Sequence, residues 1–503
     1  MPFALPAGAG SGARHLSGLG VLTCEVGPGL VDEVVELAGC REKRSRLLPA
    51  RAAVFFVLGM CLLSGEDSMG PPGYRSVMRS LTNQVRDLAG TVVPSASALC
   101  RARQRLGAKP LEMLFERVRG PLAGRAAGAL AFGLLVVAWD GTCVDVPATA
   151  ANVAELGCPG GGQPQLRLMA LVECGTRAVI DAAFDGVARA SEQVLARRLL
   201  AALRPGMLLL ADRNFPGHQL WGLAAATGAD LLWRAKAGLV LPVLEALPDG
   251  SWISVMPTPR DAREGYTRRR RGLPPREAGH RIRVVEYTVT AAAGDGTART
   301  ESFRLLTTLL DRELAPAADL AALYRQRWES ETGYGELKTR LRGAGFILRS
   351  RSPELACQEM WAFLVICQAL AALKCQAARQ ARVDPDRISL TAVLRTARDH
   401  ARTQHDTLTP QGLARARAQA VSDVLTGLLP PRRSRRSPRE KKRPRNTYPA
   451  RKAGQPRPPG NLTYHVNITR TTPQPARTPL SQRHWVMTPV KTRTSSNRSS
   501  IRA

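Results

Sequence analysis

An α/β fold is what this sequence predicts, and three features of its patterning predict it. Residues 134–139, 166–172 and 178–184 are short β-rich segments separated by Gly-containing breaks. A helix-like stretch over 192–203 stops at Pro205-Gly206, and Met207–Ala211 is then a continuous apolar run, as expected for a strand buried on both faces. Helical patterning resumes on either side of this β-β-β-α-β unit.

In chain order, residues 20–125 are expected to form a helical domain, with apolar stretches at 31–37 and 52–63 between charged or Gly/Pro-rich breaks. Ser95 or Ser97 caps a helix running to Leu106, with Gly107 at its end and Pro110 beyond. Leu99, Ala102 and Leu106 then point inward, while Arg101, Gln104 and Arg105 point outward, either to DNA or simply to solvent. Residues 126–229 hold the β-β-β-α-β unit. Residues 230–312 stay strand-like, with turn signals at Asp249-Gly250 and 294–296 and a basic loop at 268–271, and read as a β-rich insertion. Residues 313–425 return to helix through the apolar segment 363–373, and 426–503 form an Arg/Pro/Ser/Thr-rich tail whose composition predicts disorder.

Charge indicates the partner. The 503 residues carry 72 Lys and Arg against 41 Asp and Glu, a net charge of +31, and 19 of those cations but only one acid lie in residues 431–503. Such an excess favours a polyanion, with nucleic acid foremost. Ten cysteines are spread singly from Cys24 to Cys375 without a CxxC pair, which argues against a zinc ribbon or a disulfide scaffold. The longest apolar run, 52–63, has 12 residues, whereas a membrane span needs about 20. With no signal-peptide pattern after Met1, the expected setting is the cytoplasm, without membrane.

The chemistry-bearing residues are acids. Asp140 lies in LLVVAWDGTCVDV and Asp212 closes MLLLAD, so each carboxylate sits on or just after a hydrophobic strand. Strand alternation puts Asp140, Thr142 and Val144 on one face and Asp145, the second choice for the first acid, on the other. The third acid is picked out by its neighbours in LYRQRWESETGYGELK, where Tyr324, Arg327, Glu331 and Lys338 are offset by 3, 4 and 7 residues. On a helix they share one face, presenting a hydroxyl, a guanidinium, a carboxylate and an ammonium, a mixture suited to holding phosphate beside a metal ion. Three carboxylates from separate elements suffice as hard ligands for Mg²⁺, which keeps waters and accepts substrate phosphates. Two such ions can align a nucleophile and neutralise charge on a phosphodiester. His400 and His405 are five apart, off the i, i+4 helical geometry of a metal pair, and read as solvated residues.

The spacing Y-x2-R-x3-E-x6-K, with DGT at Asp140 and ADRNF at Asp212, resembles the bacterial DDE transposases of the insertion-sequence-four type over roughly residues 20–400. The resemblance implies a ribonuclease H-like core with a β insertion before the last acid and a helical N-terminal domain. It implies that Asp140, Asp212 and Glu331 bind Mg²⁺ (two ions, Mn²⁺ as a substitute), while Tyr324, Arg327 and Lys338 grip DNA phosphates. It also implies an aromatic in the insertion that stacks a flipped base, for which Phe303 and Trp252 are the candidates, with a plain core role as the other reading. Where such proteins often read PDT shortly after the first acid, this chain has Pro147-Ala148-Thr149. The expected partners are the double-stranded terminal inverted repeats and target DNA, bound by a homodimer at the bacterial nucleoid. Cut-and-paste transposition is the implied activity, with excision through a hairpin suggested by the resemblance alone. A catalytically silent, sequence-specific DNA-binding derivative is the alternative, and a nuclease or resolvase of ribonuclease H-like fold comes third.

Overall fold

A computed structural model describes residues 16, 18–44, 46, 48–64, 72–82, 93–124, 129–236, 239, 241–258, 279–292, 298–325, 347–403, 409–430 and 463–469, with single positions 260, 264, 267, 271 and 273. The chain begins with helices α1 (Pro28–Leu37), α2 (Ala50–Leu62), α3 (Tyr74–Thr82), α4 (Ala96–Leu106) and α5 (Lys109–Val118). α4 has the ends its sequence specifies: Ser95 Oγ accepts the Ala98 N–H at 3.2 Å, and the chain leaves at Gly107 with φ +66°.

These helices share their core with helices from the far end of the chain. α2 is apolar on nearly every side and must be covered on every side. One hydrophobic cluster therefore joins α1–α5 to the C-terminal helices α10 (Pro353–Ala381), α11 (Leu390–Thr403) and α12 (Pro410–Leu425). α10 is long and apolar enough to cross a bilayer, but 89% of its apolar window is buried inside the protein, as in a core helix. His400, expected in solvent, is buried on the apolar side of α11 with Nε2 3.6 Å from Asp423 Oδ2. His405 lies outside the described residues.

The strands form one sheet, ordered β4-β3-β2-β5-β6-β10-β9-β8-β7, with β1 on β2 and β11 on β9. β1 is Leu130–Ala131, β2 Leu134–Asp145, β3 Gln165–Glu173, β4 Val179–Gly186, β5 Met207–Ala211 and β6 Asp230–Arg234. β7 is Glu245–Ala246, β8 Trp252–Met256, β9 His280–Ala292, β10 Ala298–Thr307 and β11 Thr463–Ile468. β2, β3 and β4 form an antiparallel meander, and β5 and β6 run parallel to β2, the predicted β-β-β-α-β order. The strands within residues 230–312 extend the same sheet: β6 pairs with β5 and β10 with β6.

Two layers cover the sheet near β2 and β5. Short α6 (Ala150–Leu156) sits between β2 and β3 in sequence. α7 (Glu192–Arg198) and α8 (His218–Ala225) pack with Val137, Trp139, Leu209, Leu231 and Trp233 on one face. Helix α9, residues 317–325, packs with Val136, Ala138, Leu208, Leu210 and Leu232 on the other. Within the tail, whose composition predicts disorder when alone, residues 463–468 form β11 on β9.

Candidate active site

The two strand-borne acids meet by register. β2 and β5 are parallel with Ala138 opposite Leu210, and continuing that ladder by two residues sets Asp140 level with Asp212. β5 and β6 pair Ala211 with Trp233, so one further step sets Asp212 level with Arg234. Neighbouring strands lie about 4.8 Å apart, so Asp140 on β2, Asp212 just past the end of β5 and Arg234 at the end of β6 lie at one end of three adjacent strands. Alternation gives them the face that Val136, Ala138, Leu208, Leu210 and Leu232 share with α9. On that face β2 lends Val136 and Ala138 to one cluster and Val144 to another, and Asp140 lies between them in sequence. Asp145, the second choice, faces the other way, its Oδ1 accepting Gln165 Nε2 at 2.6 Å.

Local structure explains the residues around each acid. A Cβ at Gly141 would lie 3.3 Å from Glu192 Oε1 and 3.2 Å from Met169 Cε, so glycine lets α7 close over the back of β2. After β5 the chain turns sharply. Asp212 Oδ1 accepts the Asn214 N–H at 2.8 Å, and Phe215 folds under to meet Trp139 with ring centroids 5.3 Å apart. Asp212 stays half-buried and retains lone pairs for a cation.

Of the signature residues, Tyr324 lies among the described residues, near the end of the described part of α9. Tyr324, 1% exposed, donates its hydroxyl to the Ala211 carbonyl at 3.1 Å, one residue before Asp212. In this structure the hydroxyl expected to grip a phosphate ties α9 to the strand that precedes the second acid. Arg327, Glu331 and Lys338 lie outside the described residues. The chain re-emerges at Ile347, bridged to Asp145, with the Leu348 N–H donating to the Asp145 carbonyl at 2.9 Å. Both ends of the segment holding Glu331 are thus fixed beside the strands that hold Asp140 and Asp212.

Two buried arginines that sequence reading missed secure those ends. Arg283, on β9 and 0% exposed, donates to the Ala315 carbonyl at 2.6 Å and to Ser251 Oγ at 2.8 Å, and pairs with Asp249. Asp249 in turn accepts the Ala317 N–H at 3.1 Å, at the first turn of α9. Burial works against the Asp249 charge, but hydrogen bonds from Ser251 and the Arg283 guanidinium outweigh it and hold the carboxyl below its ordinary pKa. At the exit, Arg103 is also 0% exposed and donates to Ser350 Oγ and Gln358 Oε1, both at 2.9 Å. It belongs to the same RARQR run as Arg101, Gln104 and Arg105, which are exposed. Of these, Arg105 lines a cleft of about 520 Å³ together with Arg41, Lys43, Arg44 and Arg46.

The aromatic candidates are both engaged. Trp252 is 3% exposed in the core beneath α8. Phe303 stacks on Tyr287 at 5.1 Å with the rings 10° from parallel, and the Arg234 guanidinium lies 4.3 Å from the Phe303 ring centre. Phe303 is thus a platform for Arg234, whose Nη2 also meets Glu301 Oε1 at 2.9 Å. Arg234 was the missed member of the row, and its signal was present: the apolar strand DLLWR closes on a cation as MLLLAD closes on an acid. Among the described residues no three His, Cys, Asp or Glu cluster as metal ligands, and the described part of the site is the two carboxylates.

A family model described as "Insertion element 4 transposase N-terminal" matches residues 16–116, and one described as "Transposase DDE domain" matches residues 131–367. The chain is 26% identical over 346 residues to the transposase InsG for insertion sequence element IS4 of Escherichia coli (strain K12), an alignment covering 67% of this chain and 72% of that protein. A cryo-EM structure of the piggyBac transposase synaptic complex with hairpin DNA aligns at TM-score 0.41 and 10% identity, covering 83% of this chain and 86% of that one.

Proposed function

The chain belongs to the DDE transposases of the insertion-sequence-four type, and from that premise we propose that Asp140, Asp212 and Glu331 are the acids with which it cuts and joins DNA. What supports this reading is that β2, which carries Asp140, and β5, which ends one residue before Asp212, are adjacent parallel strands, and that Tyr324 and Ile347 are tied beside them. Enzymes of this family depend on divalent metal. Half-buried carboxylate oxygens on a rigid sheet suit Mg²⁺ or Mn²⁺ rather than a softer ion. Two ions, when bound, would supply charge neutralisation at the phosphate and activation of the attacking oxygen.

The remaining work falls to this chain's residues. Asp140 and Asp212, held by the sheet, fix where the scissile phosphate sits, and the turn amide of Asn214 keeps the Asp212 carboxylate from rotating away. Arg234, oriented by Phe303, is placed to bind a phosphate oxygen on the side of Asp212 away from Asp140. Arg327 and Lys338 are assigned phosphate contacts by the family signature. Tyr324 is assigned to positioning α9. The exposed Arg101, Gln104 and Arg105, with the basic cleft beside Arg105, are assigned to the duplex backbone of the element's end. The substrate is the element's terminal inverted repeats, held two at a time by a dimer. One strand is hydrolysed at each end, and the freed 3′-hydroxyls attack target DNA.

Labelled DNA carrying the element's ends, incubated with Mg²⁺, tests this. Asp140→Asn, Asp212→Asn and Glu331→Gln should each bind the ends but cut them about 10³-fold more slowly or worse, the scale of losing a group that stabilises transition-state charge. Undiminished cutting by any one of them would remove that residue from the site.

A further inference from the structure

β9 is the longest strand among the described residues, and its two edges are treated differently. β10 runs along one edge from Arg283 to Ala292. The other edge is shared end to end: β8 covers His280–Val284, and β11 covers Tyr287–Ala292, with the Thr469 N–H adding a bond of 2.8 Å to the Glu286 carbonyl. Without β11 that half of the edge would present a row of unpaired amides and carbonyls, the template a sheet edge offers to any extended chain.

β11 fits the edge by alternation. Val466 and Ile468 are partly buried against the cluster that contains Tyr287, Tyr324, Leu208 and Leu210, and Phe303 and Val289 pack on the same cluster. His465 and Asn467, on the opposite face, are exposed. Within the Arg- and Pro-rich residues 431–503, the segment TYHVNI is a run of period-two alternation. The cluster it covers is the one that lies under the acid row and holds Tyr324 to Ala211.

We propose that the 287–292 edge of β9 is a strand-binding site for this chain's own residues 463–468, and that filling it is needed for a competent catalytic face. The tail then does two separable things. Its 19 cations supply nonspecific attraction to DNA. β11 closes the apolar layer that positions Tyr324 and the Phe303 platform of Arg234.

The test uses the full chain, so that every cation is retained. In Val466→Asp/Ile468→Asp, hydrogen exchange of the 287–292 amides should speed up while that of 280–284 does not. End cleavage, a readout that rests on the transposase reading, should fall between about tenfold and 10²-fold, the scale of a small misplacement of reacting groups. The salt slope of DNA binding should stay as in the wild type. His465→Asp/Asn467→Asp, on the exposed face, should change neither exchange nor cleavage. Unchanged exchange in Val466→Asp/Ile468→Asp overturns the strand assignment, and faster exchange with wild-type cleavage overturns its catalytic role. Protection that disappears on dilution means a second copy supplies the strand, and overturns the assignment within the chain. If the wild type fails to cut at all, the transposase reading fails, while hydrogen exchange still decides the strand.

Discussion

On three neighbouring strands, consecutive residues divide the sheet into two faces of opposite character. Trp139, Ala211 and Trp233 point to the layer under α7 and α8, while Asp140, Asp212 and Arg234, one position later on each strand, point to the layer under α9. On the first face Trp139 lies 5.5 Å from Trp233, and Trp233 lies 5.0 Å edge-on to Trp221, all 1% exposed or less. On the second, carboxylates and a guanidinium stand half-buried. The contrast shows how a sheet holds mutually repelling acids: large rings on the back face fix the strand ends, so the front face can carry charges that pack poorly.

Removing a ring should therefore disturb the acids as well as the core. Trp233→Ala is expected to cost about 3–5 kcal/mol of stability, read as a lower urea midpoint. Cleavage should fall with it even at temperatures where the variant is fully folded. A destabilised variant that cuts at the wild-type rate would break the link between the two faces.

The two faces also differed in how well the sequence disclosed them. The back face follows from apolar runs such as Met207–Ala211, and the acids were legible because a charge ending such a run has few structural reasons to be there. Arg234 obeys the same rule but escaped notice, since its place beside Asp212 depends on β6 pairing in parallel with β5, a nonlocal fact. Arg103 and Arg283 were invisible for a related reason. A buried arginine reads like a surface one until its carbonyl and carboxylate partners, such as Ala315 and Asp249, are brought in from elsewhere in the chain. β11 was masked by the composition around it, although its alternation is plain in TYHVNI.

Arg234→Gln sharpens the comparison from the front. The side chain is 13% exposed and pairs with a Glu301 that is 53% exposed, so the ion pair and the stacking on Phe303 together contribute no more than about 1 kcal/mol to stability. If Arg234 holds a phosphate, cleavage should drop about tenfold to 10²-fold, the cost of losing a positioning contact at the reacting centre. Arg234→Lys should recover only part of this, since an ammonium neither stacks flat on the ring nor forks onto two oxygens. Wild-type cleavage by Arg234→Gln would make the placement of the three residues a coincidence of register.

The smallest effect discriminates most finely. Tyr324→Phe deletes one buried hydroxyl whose acceptor is the Ala211 carbonyl, so stability should fall by about 1 kcal/mol, the net worth of a typical hydrogen bond. If that bond serves to hold α9 against the strand of Asp212, the cleavage rate at saturating DNA should fall modestly while the DNA concentration for half-maximal rate stays put, because the variant loses alignment and not a substrate contact. A phosphate contact predicts the reverse: unchanged stability and a raised half-saturating concentration. Because Tyr324 is 1% exposed, a phosphate could reach its hydroxyl only if α9 moved away from β5. Only the first pattern agrees with a front face whose charges are set in place by what lies packed around them.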